Sequence, residues 1–274
     1  MQNKEIIDVK NFFLHAFLVG GELFLIFALE MLICMKKRII LLLFSFLFLV
    51  NATEAKKKEK RSVVRIETSE GVIRVALSDD TPFHRDNFLR LIAQGFYDGT
   101  LFHRCIKDFM IQGGDPYSRE AEPGVKLGDG EVGYTLPPEI DIPFLYHRRG
   151  VLAAAREPDD VNPEMRSSGC QFYIVWGKKQ SDASIKKMRA LLRERGYEMS
   201  SQMVTDYNMK GGTPHLDGAY TVFGEVIEGL DVVQRIQLLP TDENDRPLQD
   251  VVIRHAEIES FSKQASKANP QIIL

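Results

Sequence analysis

Cysteine is scarce in this chain. Its 274 residues hold three, Cys34, Cys105 and Cys170, with no CxxC pair among them. That removes the usual cysteine signatures of metal sites and redox dithiols. Cys105 and Cys170 read most simply as buried free thiols. A disulfide between them stays open in an oxidising compartment, because sequence does not place the two sulfurs. Histidine is also thin, and the six present show no ligand spacing. No metal site and no cofactor is expected. An excess of charge of one sign is missing too. The net charge is −3, so the chain as a whole has no electrostatic footprint for nucleic acid. Internal repeats are absent. What remains is 44% hydrophobic and 27% charged, ordinary globular usage with room for one good core and some extras.

The first sixty residues do not read as a folded domain. Met35-Lys-Lys-Arg38 is basic, Ile39 to Val50 is almost wholly apolar, and Asn51 to Ala55 is small and polar. Basic, apolar, then small residues is the order of a secretory signal, with cleavage after Ala52 or Ala55. A membrane anchor is the rival reading, although the apolar run is short of the roughly 20 residues a span needs. Residues 35–55 are therefore expected to be a signal peptide or anchor, and 56–61 a charged linker. Residues 1–34 lie upstream, with Glu22 and Glu30 inside their apolar stretch. They read either as an over-extended start or as a membrane segment that is costly because of those glutamates. An exported protein is expected, periplasmic or membrane-anchored facing the periplasm.

The folded part runs from 62 to 260, with a tail over 261–274. Val63–Thr68 and Val72–Leu77 are β-rich runs joined by Ser69-Glu70-Gly71, a hairpin signal. Thr81-Pro82 opens a helix, with Thr81 as N-cap and Pro82 at the first helical position. Phe88, Leu91 and Ile92 form its stripe, and Gly95 ends it. Residues 116–149 read as long loops with one strand at most. Gly150–Ala155 and Gly169–Val175 read as two buried strands. Ile185, Met188, Leu191 and Leu192 mark an amphipathic helix ended by Gly196. Its stripe either packs on the main body or forms a face for a partner. Gly229 to Leu238 reads as a further helix and Val251 to Ile258 as the closing strand.

The densest stretch is Phe102 to Asp115. Apolar and polar residues interleave there, as on a pleated strand seen from two faces, until Gly113-Gly114 stops the run. It places Arg104 beside Phe109, Met110 and Gln112: a cation, an amide and an apolar pair. With Gly95-Phe-Tyr-Asp-Gly99 before it, this run resembles the signature of the cyclophilin-type peptidyl-prolyl isomerases. Gly150–Ala155, Gln171-Phe-Tyr-Ile174, Leu216-Asp-Gly218 and Val222-Phe-Gly-Glu-Val226 supply further blocks of that pattern in order. Gly133–Glu139 resembles a loop of bacterial members. The resemblance covers about 62–260, with an inserted helical segment at 177–214 outside it. It implies a mainly β fold: a closed eight-stranded antiparallel barrel capped by two helices.

The resemblance also implies the chemistry, which is isomerisation of X–Pro bonds in proline-containing polypeptides. Arg104 would be the donor to the prolyl nitrogen. Phe109, Met110, Tyr173 and Leu216 would line the proline slot. Gln112 would hold the substrate backbone or hold Arg104. Ala155 and the backbone of Arg156 would pair with the peptide, so the change from the family's asparagine at 156 should matter little. His215 stands where many members have tryptophan, the residue tied to tight cyclosporin binding, and weak cyclosporin binding follows. Tyr220 stands at the pocket wall where many have histidine, and Tyr173 where phenylalanine is usual. Two other functions compete: a catalytically weak peptide-binding or chaperone module using the same groove, and a scaffold that binds a partner through 177–214. Nothing in the residues sets an oligomeric state.

Overall fold

The structure, a computed structural model, describes residues 61–261. The upstream segment 1–34, the signal or anchor 35–55, nearly all of the linker 56–61, Cys34 and the tail after 261 lie outside the described residues. Among the described residues, no helix is long and apolar enough to cross a membrane.

Strands β1 (Val63–Thr68) and β2 (Gly71–Leu77) form the expected hairpin. In β1 burial alternates, with Val64, Ile66 and Thr68 turned inward, the period of a half-buried strand. Gly71 sits at φ 136°, and a Cβ there would meet Val232 at 3.0 Å, so the turn needs glycine. Helix α1 (Pro82–Ala93) follows. Thr81 occupies its N-cap position, yet its side chain makes no capping bond. The Glu139 carboxylate caps instead, accepting from Phe83 N at 3.1 Å and His84 N at 3.0 Å. A full negative charge at a helix N-terminus satisfies two orphan donors and opposes the helix dipole.

The remaining sheet strands are β3 (Arg104–Ile106), β4 (Met110–Gly113), β6 (Val151–Ala154), β8 (Phe172–Val175), β9 (Val222–Glu228) and β10 (Ile253–Ser260). Two-residue strands β5 (Thr135–Leu136) and β7 (Ser167–Ser168) pair apart from them. The main sheet has eight strands in the order β10-β1-β2-β9-β6-β8-β4-β3, and each neighbouring pair is antiparallel.

The expected closed barrel does not form. The sheet is curled but open, because its edge strands β3 and β10 share no ladder. β3 is three residues long, and its outer edge is taken by a turn, with Cys105 N donating to Asp245 O at 2.8 Å. The gap is crossed by irregular backbone: Phe102 N donates to Val251 O, Gly99 N to Ile253 O, and Ile253 N to Thr100 O.

Strands β4, β6 and β8 are buried on both faces, and this builds the site. Ile111, Leu152, Ala154, Phe172 and Ile174 face the main core, where α1 and helix α4 (Leu230–Ile236) bury their stripes. The alternate residues, Met110, Val151, Ala153, Tyr173 and Val175, form a second cluster on the opposite face. The uninterrupted apolar runs of β6 and β8 are what a strand covered on two sides requires.

Segment 177–214 holds two helices where the sequence showed one. Helix α2 (Asp182–Glu194) carries the expected stripe, and α3 (Ser201–Met209) adds a shorter turn of helix. Ser181 and Ser200 cap them, accepting from Ser184 N and Met203 N. Ile185, Leu192, Met199, Met203 and Tyr207 bury themselves around Tyr146 in a third cluster that contains no sheet residue. The stripe thus serves a local core of its own. Cys105 and Cys170 are buried and free, which leaves the disulfide reading unsupported. Burial pushes both thiols up, Cys170 to about 12.

Candidate active site

Arg104 opens β3 and Gln112 is its direct register partner on β4. Gln112 in turn faces Tyr173 on β8, which faces Ala153 on β6. This rung lays a cation, an amide and an aromatic ring side by side on the second face of the sheet. A pocket of about 190 Å³ opens there, lined by Arg104, Phe109, Met110, Gln112, Ala155, Arg156, Tyr173, Leu216 and Tyr220. Every residue expected at the site lines it except His215. That ring stacks on the outside of Phe109, with centroids 5.6 Å apart and planes at 30°. Burial holds the His215 imidazole below its usual pKa.

Arg104 is half-exposed at the pocket mouth. Its Nε lies 3.3 Å from Asp245 Oδ2. Gln112 does not hold it: Gln112 Nε2 donates instead to Gln171 Oε1 at 3.0 Å. Gln171 is itself fixed, since its Nε2 donates to Gly128 O and Gly130 O, both at 2.8 Å. The floor is Met110 and Tyr173, each almost fully buried. Burial drives the Tyr173 phenol well above its usual pKa, so it keeps its proton. That hydroxyl meets His147 Nε2 at 2.9 Å.

The peptide-pairing positions differ from expectation. Both Ala155 backbone groups are taken, the N–H by Gln171 O and the C=O by Ser168 N. No backbone hydrogen bond uses the Arg156 N–H or C=O among the described residues. Arg156 is therefore the position free to pair with a peptide. Its side chain is more than a bystander. It is 2% exposed, donates to Ala219 O, Glu157 O and Asp159, and lays its guanidinium 4.5 Å from the Tyr220 ring centre. Sequence reasoning placed Tyr220 at this wall but missed the part played by the Arg156 side chain, and also missed Asp245, His147 and Tyr207. Asp245 lies in a turn-rich run with no periodicity to flag it. His147 lies in a stretch that reads only as loop.

A donor fork at the mouth of an apolar slot, beside backbone free to pair with an extended chain, defines a groove for a proline-bearing peptide. The comparisons agree. The model of the family "Cyclophilin type peptidyl-prolyl cis-trans isomerase/CLD" matches residues 63–258. The chain belongs to the cyclophilin-type peptidyl-prolyl cis-trans isomerases. It is 34% identical to peptidyl-prolyl cis-trans isomerase-like 2 of Rhizopus delemar, over 74% of this chain and 30% of that protein. It is 32% identical to peptidyl-prolyl cis-trans isomerase CYP18-1 of Arabidopsis thaliana, over 71% of this chain and 94% of that protein. The chain thus spans under a third of one relative and nearly all of the other. Among solved structures, a cyclophilin-type isomerase of Cryptosporidium parvum superposes with a TM-score of 0.53 at 27% identity, covering 73% of this chain and 98% of that one.

Proposed function

We propose that the groove isomerises X–Pro bonds of exported polypeptides, with Arg104 as the donor. The trans form is preferred by only about 0.5–1 kcal/mol. The barrier of about 18–20 kcal/mol is lost amide resonance. As the bond twists, the prolyl nitrogen regains its lone pair and becomes an acceptor. A fixed N–H aimed at it binds the twisted state better than either planar state, and that difference is the catalysis. No covalent step or proton transfer is needed.

The observation that carries this reading is the position of Arg104 at the mouth of the slot floored by Met110 and Tyr173. With Nε turned to Asp245, the two Nη groups are left for the substrate. The Arg156 backbone would pair with the peptide, and Gln112 would hold its far side. The test is cis-to-trans turnover of an X–Pro peptide by the purified protein beside Arg104→Ala. Removing one such donor should cost roughly 100-fold or more. Equal turnover in both would remove Arg104 from the mechanism. No turnover in either would make the groove a peptide-binding module.

Export to the periplasm, as a bacterial member of the family, rests on the basic, apolar and small-residue order of 35–55. The helices of 177–214 are read as an insertion into the family pattern. Protein recovered from expressing cells should begin at Thr53 or Lys56. A retained Met35 in the soluble fraction would overturn export.

A further inference from the structure

We propose that a buried hydrogen-bonded chain, Tyr207–Asp217–His147–Tyr173, couples the helical segment 181–210 to the floor of the proline pocket, and that Tyr207, Asp217 and His147 are positioning residues for isomerisation. The proposal rests on the groove being the isomerase site.

The chain is continuous. Tyr207, on α3, donates its hydroxyl to Asp217 Oδ2 at 2.5 Å. Asp217 Oδ1 accepts from His147 N at 2.8 Å and lies 2.9 Å from His147 Nδ1. His147 Nε2 meets the Tyr173 hydroxyl at 2.9 Å. The side chains of His147 and Asp217 are 1% and 0% exposed, so water does not compete with these bonds. A carboxylate only accepts, so Nδ1 of His147 carries a proton and donates to Asp217. In the Nδ1–H tautomer, Nε2 accepts from the Tyr173 hydroxyl. Each donor has one acceptor, and the directions run without conflict from both phenols inward.

The chain ends at the pocket, and it starts in a core the sheet does not share. Tyr207 belongs to the third cluster, around Tyr146 and α2. A second tie runs beside it: Arg195, at the end of α2, donates to His215 O at 2.8 Å and Asp217 O at 2.6 Å. Those carbonyls flank Leu216, a lining residue. Two walls of the slot, Tyr173 and Leu216, are thus fixed from one helical segment. A phenylalanine at 173 would leave His147 Nε2 buried without its donor, so the hydroxyl at this position is matched to the imidazole.

Tyr146 supplies the control. Its hydroxyl donates to Asp206 Oδ2 at 2.5 Å, in the same third cluster. That hydroxyl lies off the chain, and Tyr146→Phe keeps the ring that packs against Tyr207 with centroids 5.7 Å apart. Tyr207→Phe should lower kcat by roughly three- to tenfold with little change in KM, the scale of one buried hydrogen bond. Tyr146→Phe should leave kcat unchanged while lowering the melting temperature comparably. Tyr207→Phe added to Tyr173→Phe should cost less than about twofold more, because the chain is already cut. Nitrogen NMR of the His147 ring reports the chain without reference to turnover. The Nδ1–H tautomer is expected, with both nitrogen shifts displaced in Tyr207→Phe. Equal kcat losses from Tyr146→Phe and Tyr207→Phe, additive losses at 173 and 207, or an Nε2–H tautomer would each overturn the proposal. If neither the parent protein nor Arg104→Ala turned over an X–Pro peptide while the NMR shifts behaved as stated, the isomerase reading of the groove would fail and the chain would stand.

Discussion

Arg104 and Asp245 meet through one edge of the guanidinium, Nε to Oδ2 at 3.3 Å. Asp245 sits at φ 63°, the left-handed region, and its carbonyl also accepts from Cys105 N at 2.8 Å. The turn that carries it is therefore tied to the backbone of β3 as well as to the side chain of Arg104. The carboxylate lies on the Nε edge of the guanidinium as an ion-pair partner, which favours a fork turned the other way.

Asp245→Gly tests that relationship cleanly, since glycine takes this φ without cost. Arg104 and Asp245 are 42% and 40% exposed, so the pair itself adds only about 0–1 kcal/mol to stability. The melting temperature should hardly move. Turnover should fall roughly three- to tenfold through kcat, as a loosened donor spends less time aimed. Unchanged kinetics in a folded variant would show that Arg104 needs no anchor there.

Much of this was legible beforehand, for a physical reason. β6 and β8 announce themselves because strands buried on two faces must be apolar throughout, whereas β3 and β4 show as an interleaved run with Arg104 and Gln112 among its polar residues. The open edge was not legible. It depends on whether β3 and β10 share a ladder, and no local pattern in Arg104–Ile106 says so. α3 was missed because Ser201–Met209 buries Met203, Asp206 and Tyr207, a mixed stripe with a carboxylate in it. The cap on α1 comes from Glu139, far along the chain, so Thr81 was credited with a bond that it does not make.

Arg156 shows how a lining residue can act through its side chain. The sequence reading gave it only backbone contacts. In the fold, its guanidinium braces Tyr220 and the Ala219 carbonyl. Arg156→Asn should cost about 1–3 kcal/mol, from the unpaired buried acceptor and the lost cation–π contact. KM should rise more than kcat falls, because the wall binds the peptide while Arg104 still performs the chemistry. A thermal melt and a Michaelis–Menten series separate the two. An unchanged KM would confine Arg156 to stability.

His103, next to the donor, sets part of the acid limb of stability. Burial lowers its pKa from 6.5 to about 4. In the unfolded chain it binds a proton near 6.5, and in the fold only near 4. Between those values the unfolded state holds more protons, so stability is present above 6.5 and is lost as pH falls toward 4. The loss is on the order of 3 kcal/mol over that window. Urea unfolding at several pH values should show a shallower acid limb for His103→Gln than for the parent. Parallel limbs would mean that His103 titrates alike in both states.

His215 bears on cyclosporin. By resemblance, tight binding goes with tryptophan here. The imidazole stacks on Phe109 and lies outside the residues that line the slot. It offers less apolar face than an indole and no long reach across the rim. Burial keeps it below its usual pKa, so near neutral pH it contributes no charge to offset the lost area. A dissociation constant above about 1 μM is expected by titration. His215→Trp should tighten it by roughly tenfold or more, since a buried indole adds both area and aromatic contact. Isomerase turnover of a short X–Pro peptide should change far less, because Arg104, Met110 and Tyr173 are untouched. Sub-micromolar binding by the parent protein would show that the rest of the groove suffices for the drug without the indole.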